Sequence, residues 1–498
     1  MAGIKQLAGQ TIWYGLSSIV ARFINYLLTP FLTYSAVIST ADFGKMGLIY
    51  SAIPILNILF TYGFETAYFR FSNENKQQPN LYSTSLISLI STTVLFSLLL
   101  FSFQSTIANL TGLANYPQMV QWAIAIIALD TICVLPFAKL RQEGRPVKFA
   151  FIKVTGIVIN VFFTWFFVGY CPFHLQEFWI NSWYNTQTNP IIYVLFANFL
   201  QALFTLVLSL PALIKIKWQF NWVLWKEMMV YALPLIIVGL GGIVNETFDR
   251  LMLRSWLPGM EEYKQEQVGI YNACYKLSIL ITLFIQAFKM GAEPFFFKQA
   301  QGLQPQKVYA RVMKFFVLTI LVMFLVVSMF MPIWQYFIGP AYRVGLGIVP
   351  ILLLANMFLG VYYNLSIWYK LGKNTMAGTY ITLIGCVITC LINWFGIPVW
   401  GYWACAWATF FCYGGMMVIS YVWGQKTYPV PYPIKTMLFY FAVALIIFFI
   451  YSILKIFVVH QYFQIIMAVV LIMSYLLLIV KLERAEISRL PILNRIFK

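Results

Sequence analysis

Apolar residues along this chain fall into long runs that are separated by short polar connections. Each run is roughly 17–27 residues long, and a helix of ~20 residues crosses the ~30 Å hydrocarbon core of a bilayer. A helix satisfies its own backbone hydrogen bonds, which lipid cannot do for it. The pattern therefore predicts an all-α integral membrane protein with about fourteen transmembrane helices.

The predicted segments form two groups of six, followed by a further pair. The segments are Thr11–Tyr34, Phe43–Arg70, Leu81–Phe103, Met119–Ala138, Phe149–Tyr170, Ile191–Ile214, Met228–Leu253, Val268–Ala292, Val312–Phe337, Gly345–Leu371, Thr375–Phe395, Trp403–Trp423, Met437–Ile453 and Phe463–Val480. We predict an N-terminal six-helix lobe (1–217), a C-terminal six-helix lobe (218–428), two additional helices (429–483) and a basic cytoplasmic tail (484–498).

Composition agrees with a membrane protein. Hydrophobic residues make up 61% and charged residues 10% of the 498 residues, and the mean hydropathy is +0.80. A soluble domain is about one quarter charged. Water could not solvate this much apolar surface, whereas lipid can.

Basic residues are distributed unevenly among the connections. If the N-terminus is cytoplasmic, 24 of the 33 Lys and Arg residues lie inside, 6 lie outside and 3 lie within segments. Short cytoplasmic loops of membrane proteins are enriched in Lys and Arg. The bias predicts that both termini are cytoplasmic, and it accounts for the net charge of +18 without a nucleic-acid partner.

No motif in the chain indicates catalysis or a resident metal. The seven cysteines are scattered without a CxxC pair, and there is no P-loop, HExxH or GxSxG motif. The two histidines, His174 and His460, lie in predicted outer connections. We therefore expect no enzyme activity, no metal and no cofactor, with a coupling H⁺ or Na⁺ as a hypothesis.

The first two segments are similar to the seventh and eighth at an offset of about 225 residues. The matched pairs are Arg22 with Glu246, Asn25 with Asp249, and Gly44 with Gly269. An offset of six spans keeps the orientation, so the two lobes would be related by a pseudo-two-fold axis along the membrane normal. Two facing six-helix bundles are an architecture typical of transporters.

Ionisable residues within membrane segments are costly and by default indicate function. Those deep in the predicted segments are Arg22, Glu65, Asp130, Glu246, Asp249 and Lys276. Structural roles remain open for several of them. Asp249 and Arg250 would form a local pair, Glu65 would hold a neighbouring Arg, and Lys153, one turn from the inner surface, would extend its ammonium group to water.

Helix-breaking residues occur in the same segments. Pro234 and the glycines that include Gly241 precede Glu246, and Pro30 and Pro54 lie in the first two segments. Broken helices near the midplane suit a binding site or a bending point in alternating access. The alternative is that Pro and Gly are simply more frequent in membrane helices.

Several stretches together resemble a known family. They are Arg22–Arg70 with Phe43-Gly44 and Gly63–Ala67, Leu140–Arg145, Leu233-Pro234 to Asp249-Arg250, Gly269–Tyr271, Leu371–Thr375 and Asn393–Pro398. In order and spacing they are similar to the polysaccharide-exporter branch of the multidrug/oligosaccharidyl-lipid/polysaccharide (MOP) superfamily, which includes the O-antigen flippases of lipopolysaccharide biosynthesis. The resemblance covers residues 10 to about 425. The aromatic stretch Cys171–Pro190 departs from the family pattern, and we interpret it as an interfacial belt rather than a sugar-stacking surface.

The resemblance implies two lobes around a cationic cavity that opens to one side of the bacterial inner membrane at a time. It implies that undecaprenyl-pyrophosphate-linked sugars move from the inner to the outer leaflet, in a pathway with a polymerase and glycosyltransferases as partners. Substrate-binding residues would be Arg22, Asn25, Arg70 and Lys276. Coupling or gating residues would be Glu65, Asp130, Pro234, Gly241, Glu246 and Asp249.

Other functions remain open on the sequence. A cation-coupled multidrug exporter of the same superfamily usually has an acidic, aromatic cavity, which Arg22 and Lys276 oppose. A peptidoglycan-precursor flippase shares the span number and a basic cavity. A major-facilitator transporter would need Gly-x3-Asp where this chain reads Phe71–Lys76. A membrane-embedded glycan polymerase or transferase would need a catalytic His or acid in an ordered outer loop.

Overall fold

The computed structural model describes residues 19–20, 22–74, 80–214, 218–300, 304–371, 376–458 and 460–487. These residues form helices and turns, without a strand among them. In chain order the helices are α1 (22–33), α2 (Thr40–Thr61), α3 (Phe64–Glu74), α4 (Leu81–Ser102), α5 (Gln104–Leu110), α6 (Pro117–Gln142), α7 (Pro146–Thr164), α8 (Phe178–Asn181), α9 (Pro190–Ile214), α10 (Trp222–Trp256), α11 (Glu261–Gln299), α12 (Pro305–Met329), α13 (Met331–Trp334), α14 (Val349–Leu365), α15 (Ile367–Leu371), α16 (Met376–Trp400), α17 (Tyr402–Thr427), α18 (Ile434–Phe457), α19 (Gln461–Leu482) and α20 (Arg484–Ile487). A π-helical turn (Trp165–Tyr170) and a 3-10 turn (Cys171–Phe173) extend α7, and further 3-10 segments cover Gln335–Phe337 and Pro340–Ile348.

Thirteen helical stretches in the described residues are long and apolar enough to cross a membrane. They coincide with the second to fourteenth predicted segments, so the all-α membrane fold is confirmed. The first predicted segment is described from residue 19 onward except residue 21, and the tail beyond residue 487 also lies outside the described residues.

The prediction of one continuous second span over Phe43–Arg70 is wrong. Helix α2 ends at Thr61, and the chain turns through Tyr62 (φ 33°) and Gly63 (φ 74°) before α3 begins. Both residues adopt the left-handed region, which a helix cannot continue through. Glu65 and Arg70 therefore lie on α3, beyond the end of the span.

The prediction that proline and glycine interrupt the spans is also wrong. Helix α10 runs unbroken through Pro234, α2 runs through Pro54, and α1 runs through Pro30. A proline removes one backbone hydrogen bond, and neighbouring helices can hold the helix together around that gap.

Two glycines that the sequence similarity pairs, Gly44 and Gly269, bring α2 and α11 into backbone contact. A Cβ atom added to Gly44 would lie 1.8 Å from the carbonyl oxygen of Gln265, and one added to Gly269 would lie 2.2 Å from the carbonyl oxygen of Thr40. Only glycine permits this approach. The predicted outer halves of α2 and α11 therefore pack in direct backbone contact.

A second contact closes the same end of the bundle. Arg254 pairs with Glu261 (Nη2 to Oε2, 2.9 Å) and donates a hydrogen bond to the carbonyl oxygen of Leu110. Gln265 donates from Nε2 to the carbonyl oxygen of Gly112 at 2.8 Å. Side chains of α10 and α11 thus hold the turn that follows α5 across the two predicted lobes.

Helix α10 contacts both predicted lobes. Its first half packs on α2, α3 and α4, where the indole Nε1 of Trp225 donates to Ser88 Oγ at 2.8 Å. Its second half packs on α16, where Asn245 Nδ2 donates to the carbonyl oxygen of Thr382 at 3.1 Å. Thr247, also in the second half, donates to the carbonyl oxygen of Ser51 on α2 at 3.3 Å. Movement of one lobe against the other would therefore have to bend α10 or break its contacts with one lobe.

The C-terminal helices are joined to α12 by a buried ion pair. Lys314 Nζ lies 2.7 Å from Glu483 Oε2, and the two side chains are 10% and 8% exposed. Tyr440 of α18 donates to the other carboxylate oxygen at 2.9 Å. Glu486 lies 3.2 Å from the same ammonium group.

Replacing Lys314 with methionine is expected to lower the free energy of unfolding by about 3 kcal/mol, because the carboxylate of Glu483 would stay buried without its cation. Thermal unfolding in detergent, followed by tryptophan fluorescence, would measure the loss. The matched control is Lys435→Met on the exposed face of α18. Equal melting temperatures for both variants would contradict a stabilising role for the pair.

Candidate functional site

A cavity of about 420 Å³, which we call the C-side cavity, lies between the start of α1 and four helices of the predicted C-terminal lobe. Its lining residues are Ile19, Arg22, Glu246, Tyr275, Thr282, Ile285, Gln286, Lys289, Met290, Asn356, Leu359, Tyr363 and Tyr413. Two cations and one carboxylate therefore meet aromatic hydroxyls and amides in one space.

A second cavity of about 310 Å³, which we call the N-side cavity, lies mainly among helices of the predicted N-terminal lobe. Its polar lining residues are Asn25, Thr29, Tyr50, Asp130, Asn160, Thr164, Asn198, Gln201 and Lys276. It holds one carboxylate, one ammonium group and four amides.

Helices α1 and α11 line both cavities. On α1, Arg22 lines the C-side cavity and Asn25 the N-side cavity. On α11, Tyr275 lines the first and the next residue, Lys276, lines the second. The two predicted cations, Arg22 and Lys276, therefore occupy neighbouring cavities rather than one common chamber.

The positive charge of the C-side cavity comes from Arg22 and Lys289. The ammonium group of Lys289 lies 4.4 Å from the ring centroid of Tyr363, a cation–π contact. Glu246 faces the same cavity from α10. Within a membrane-spanning bundle, a cavity of this kind favours an anionic ligand.

Lys289 was not among the site residues predicted from the sequence, which counted it with the basic residues at the inner ends of spans. The sequence nevertheless carries a pattern that indicates a site role for Lys289. Tyr275, Thr282, Gln286 and Lys289 follow one another at intervals of seven, four and three residues, which places them on one face of α11.

The carboxylate of Asp130 faces the N-side cavity without a hydrogen bond or ion pair to another described residue. Lys153 lies near enough to interact with it electrostatically. Amides surround it on neighbouring helices, and one of them, Asn198 Nδ2, donates to the hydroxyl of Tyr50 at 3.0 Å. A carboxylate held among oxygen and amide groups can take up a proton or a small cation.

Asp249 lies outside both cavities. Its Oδ1 accepts from Arg250 Nη1 at 2.9 Å, and its Oδ2 accepts from the hydroxyl of Tyr271. Asp249 and Arg250 are 3% and 5% exposed. The guanidinium group also stacks 4.3 Å from the ring centroid of Tyr275. This network fastens α10 to α11, which favours the structural alternative for Asp249.

Glu65 and Arg70 also lie outside both cavities, on α3. Glu65 pairs with Arg141 near the end of α6, and Tyr68 donates to Gln142 beside it. Burial raises the pKa of Tyr68 to about 12, so this hydroxyl remains a neutral donor. Arg70 stacks 4.3 Å from the ring centroid of Tyr231 on α10. These residues connect helix ends at the predicted cytoplasmic surface.

The two predicted gating residues without charge have different surroundings. Pro234 is exposed on α10 and lines neither the C-side nor the N-side cavity. Gly241 is buried against α16, where Cys386 Sγ lies 3.1 Å from its carbonyl oxygen. A Cβ atom at Gly241 would lie 3.2 Å from the methyl group of Thr382. Gly241 thus serves close helix packing.

The aromatic stretch Cys171–Pro190 lines neither cavity. Trp179 stacks on Phe166 at a centroid distance of 6.1 Å, and Tyr193 OH lies 3.1 Å from the carbonyl oxygen of Asn185. Phe178 is 89% exposed. In the described residues no group of three or more His, Cys, Asp or Glu side chains is placed to hold a metal ion.

The sequence from residue 7 to residue 299 matches the family model described as polysaccharide biosynthesis protein. This is more than half of the 498 residues, and the chain belongs to that family. The resemblance stated from the sequence motifs is thereby confirmed. Among curated proteins, none matches the sequence.

Solved structures with a similar fold include a lipid II flippase and MATE transporters. The lipid II flippase MurJ in an inward closed conformation is 14% identical, with a TM-score of 0.74 over 96% of this chain and 100% of that chain. An outward-facing multidrug resistance MATE family transporter of the MOP superfamily is 11% identical, with a TM-score of 0.59 over 84% and 94%. The Vibrio cholerae MATE transporter VcmN in its bent form is 13% identical, with a TM-score of 0.53 over 85% and 96%. At these identities the likeness establishes the fold.

Proposed function

We propose that this protein is a flippase that carries undecaprenyl-pyrophosphate-linked oligosaccharide from the inner to the outer leaflet of the bacterial cytoplasmic membrane. The observation that carries the proposal is the C-side cavity, where Arg22 and Lys289 face a space of about 420 Å³ between membrane-spanning helices. Membership of the polysaccharide biosynthesis family supports the same conclusion.

The chemistry of the cavity suits a pyrophosphate. Arginine binds phosphate oxygens through two parallel hydrogen bonds, and lysine adds a point charge. The amides of Gln286 and Asn356 and the hydroxyls of Tyr275 and Tyr413 line the same space. These groups offer donors and aromatic faces to a sugar beside the pyrophosphate.

Alternating access is supported by closure of one end of the bundle. The backbone contact between Gly44 and Gly269 and the ion pair of Arg254 with Glu261 close the predicted outer side. With cytoplasmic termini, as the positive charges indicate, the cavity would receive its substrate from the cytoplasmic side. In the state that opens to the outer side, the contact between Gly44 and Gly269 and the ion pair of Arg254 with Glu261 would separate. The polymerase and glycosyltransferases of the same pathway are the expected protein partners.

Coupling to H⁺ or Na⁺ is part of the proposal. Asp130 supplies an ionisable group in the N-side cavity, and Glu246 supplies one in the C-side cavity. Uptake of a cation at either residue would neutralise negative charge beside the anionic substrate and favour its binding, and loss of that cation would restore the repulsion and favour release. Lys276 and Asn25, which line the N-side cavity, would respond to the charge of Asp130.

Replacing both acids, Asp130→Asn and Glu246→Gln, is expected to remove the acceleration of flipping by an imposed ion gradient, with a loss of about tenfold in rate. Flipping would be measured in proteoliposomes with separate pH and Na⁺ gradients. The matched control is Glu262→Gln, an exposed acid at the start of α11. Unchanged gradient-driven flipping in the double variant would contradict a coupling role for these acids.

The proposed function is tested with purified protein in liposomes that contain a lipid-linked oligosaccharide. The measurement is the fraction of glycolipid that becomes accessible to a glycosidase on the opposite side, compared with protein-free liposomes. We expect rapid equilibration only with the protein. If no glycolipid moves but organic cations are extruded, the function is that of a multidrug exporter, the alternative that the MATE-like fold favours.

A further inference from the structure

Neutral polar side chains line the N-side cavity in pairs. Three helices each present two of them, three or four residues apart, which places both members of a pair on the same face of the helix. The pairs are Asn25 with Thr29 on α1, Asn160 with Thr164 on α7, and Asn198 with Gln201 on α9. Polar groups within membrane-spanning helices are costly and by default indicate function.

Helix packing uses only part of these polar groups. Asn198 Nδ2 donates to the hydroxyl of Tyr50 at 3.0 Å, and Asn160 Oδ1 accepts at 3.2 Å from a hydroxyl one turn along its own helix. The side-chain amides of Asn25 and Gln201 make no hydrogen bond to another described residue. An amide has two N–H donors and a carbonyl acceptor, so the cavity keeps groups of both kinds for a ligand.

The volume of the N-side cavity, about 310 Å³, exceeds what a coupling ion needs. A small cation holds its oxygen ligands at ~2.1–2.6 Å, so an ion at Asp130 would fill only a small part of this space. Binding sites for small molecules begin at ~300 Å³. The remaining space suits a polar ligand about the size of a monosaccharide, whose hydroxyls donate and accept hydrogen bonds as the cavity groups do.

The N-side cavity lies beside the cation that would hold the pyrophosphate. Arg22, which lines the C-side cavity, precedes Asn25 by three residues on α1, an axial rise of about 4.5 Å. Arg22 also lies within electrostatic range of Lys153, which interacts with Asp130 of the N-side cavity. A group bonded directly to a pyrophosphate at Arg22 would therefore lie close to the N-side cavity. In the proposed substrate that group is the first sugar.

The charges around the two cavities balance a pyrophosphate without a surplus. The cations of the described linings are Arg22, Lys276 and Lys289. Glu246 offsets one of them, and Asp130 has Lys153 as its neighbouring cation. A pyrophosphate that links a lipid to a sugar carries one negative charge on each phosphate group, which matches the two remaining positive charges. The carboxylate of an acidic sugar would stay unbalanced, and this is costly where the dielectric constant is low.

We propose that the N-side cavity binds the sugar next to the pyrophosphate and that the protein selects substrates in which this sugar is uncharged. The amides of Asn25 and Gln201 would exchange hydrogen bonds with the hydroxyls of that sugar. The inference rests on the proposed function, since the sugar is part of that substrate, and it names the class of glycan that the flippase accepts.

The test measures equilibrium binding of three synthetic lipids to the full-length protein in nanodiscs, at fixed pH and Na⁺ concentration. All three are polyprenyl pyrophosphates, and they carry glucose, glucuronic acid or a methyl group on the second phosphate. Glucose and glucuronic acid differ only in the carboxylate, and the methyl probe keeps the pyrophosphate charge without a sugar. We expect the glucose probe to bind about tenfold more tightly than either of the other two, because specificity is a difference of affinities.

Removing one amide of the N-side cavity should weaken binding of the sugar more than binding of the pyrophosphate. We expect Gln201→Leu to weaken binding of the glucose probe about fivefold relative to the methyl probe, the effect of about one lost hydrogen bond. The matched control is Gln187→Leu, since Gln187 is exposed in the connection before α9 and lines neither cavity. Asn25→Leu is the second variant if Gln201→Leu does not purify as a monodisperse protein.

The possible outcomes separate this inference from the proposed function. If the glucuronic acid probe binds as tightly as the glucose probe, selection for an uncharged sugar is wrong. If Gln201→Leu and Asn25→Leu weaken the glucose and methyl probes equally, or weaken neither, the N-side cavity does not bind the sugar, while flipping of glycolipid would still support the proposed function. Binding does not require transport, so a protein that shows the expected preference but flips no glycolipid would contradict the proposed function alone. A protein that binds none of the three probes would contradict both.

Discussion

Replacing Arg22 with alanine is expected to reduce flipping of lipid-linked oligosaccharide about a hundredfold, because a charge-assisted contact to the pyrophosphate contributes up to ~3 kcal/mol. Arg22 faces the C-side cavity together with Lys289, and these are the two cations of its described lining. Without the guanidinium group the cavity keeps the carboxylate of Glu246, which repels the substrate. The measurement is the initial rate of glycolipid flipping in proteoliposomes.

Three comparisons make the Arg22 prediction specific. Lys289→Ala is expected to reduce flipping in the same direction, while Arg22→Lys is expected to retain part of the rate, because it keeps the charge but loses the two parallel hydrogen bonds. Lys455→Ala, an exposed cation at the end of α18, is the matched control. If Arg22→Ala inserts normally and flips at the native rate, Arg22 does not bind the substrate.

Replacing Gly44 with alanine is expected to separate the outer halves of α2 and α11. The added Cβ atom would lie 1.8 Å from a backbone oxygen of Gln265 and 2.7 Å from its carbonyl carbon, so a side-chain rotation cannot relieve the overlap. Overpacking of this kind costs about 1–3 kcal/mol. A cost of this size shifts a two-state equilibrium about fivefold to a hundredfold toward the state with the outer side open.

Hydrogen–deuterium exchange measures the separation directly, because amides at an opened contact exchange faster. We expect faster exchange in peptides that cover the outer halves of α2 and α11, and slower glycolipid flipping. The matched control is Gly242→Ala, since a Cβ atom at Gly242 would meet no other atom within 4 Å. Unchanged exchange in Gly44→Ala would mean that this contact does not control the outer side.

The site residues were only partly predictable from the sequence. Arg22, Asp130, Glu246 and Lys276 were singled out because charge within a membrane segment is costly, and each lines a cavity. Asp249 was singled out for the same reason, but it is paired with Arg250 and Tyr271. The cost of burial is the same for a structural pair and a ligand site, so sequence reasoning cannot separate them without knowing the neighbours.

Backbone geometry was less predictable than the spans. Pro234 and Pro54 lie within unbroken helices, whereas the chain leaves the helix at Tyr62 and Gly63. A proline costs its helix one hydrogen bond, and packing of the surrounding helices can compensate. The turn at Tyr62 and Gly63 packs on α10, as a Cβ atom at Gly63 would lie 3.0 Å from the carbonyl oxygen of Ala232. Because that contact joins residues far apart in the chain, the local sequence pattern does not predict where α2 ends.

The sequence by itself determined the class of this protein, because the length and apolarity of each segment decide whether it crosses a bilayer, and these are local properties. Its motifs likewise indicated the family to which the chain belongs. Only the tertiary structure decided that Arg22 and Lys276 face different cavities, that Lys289 joins Arg22, and that Gly44 meets Gly269. These features depend on how helices distant in sequence are rotated and packed against one another, which the packing of the whole bundle determines.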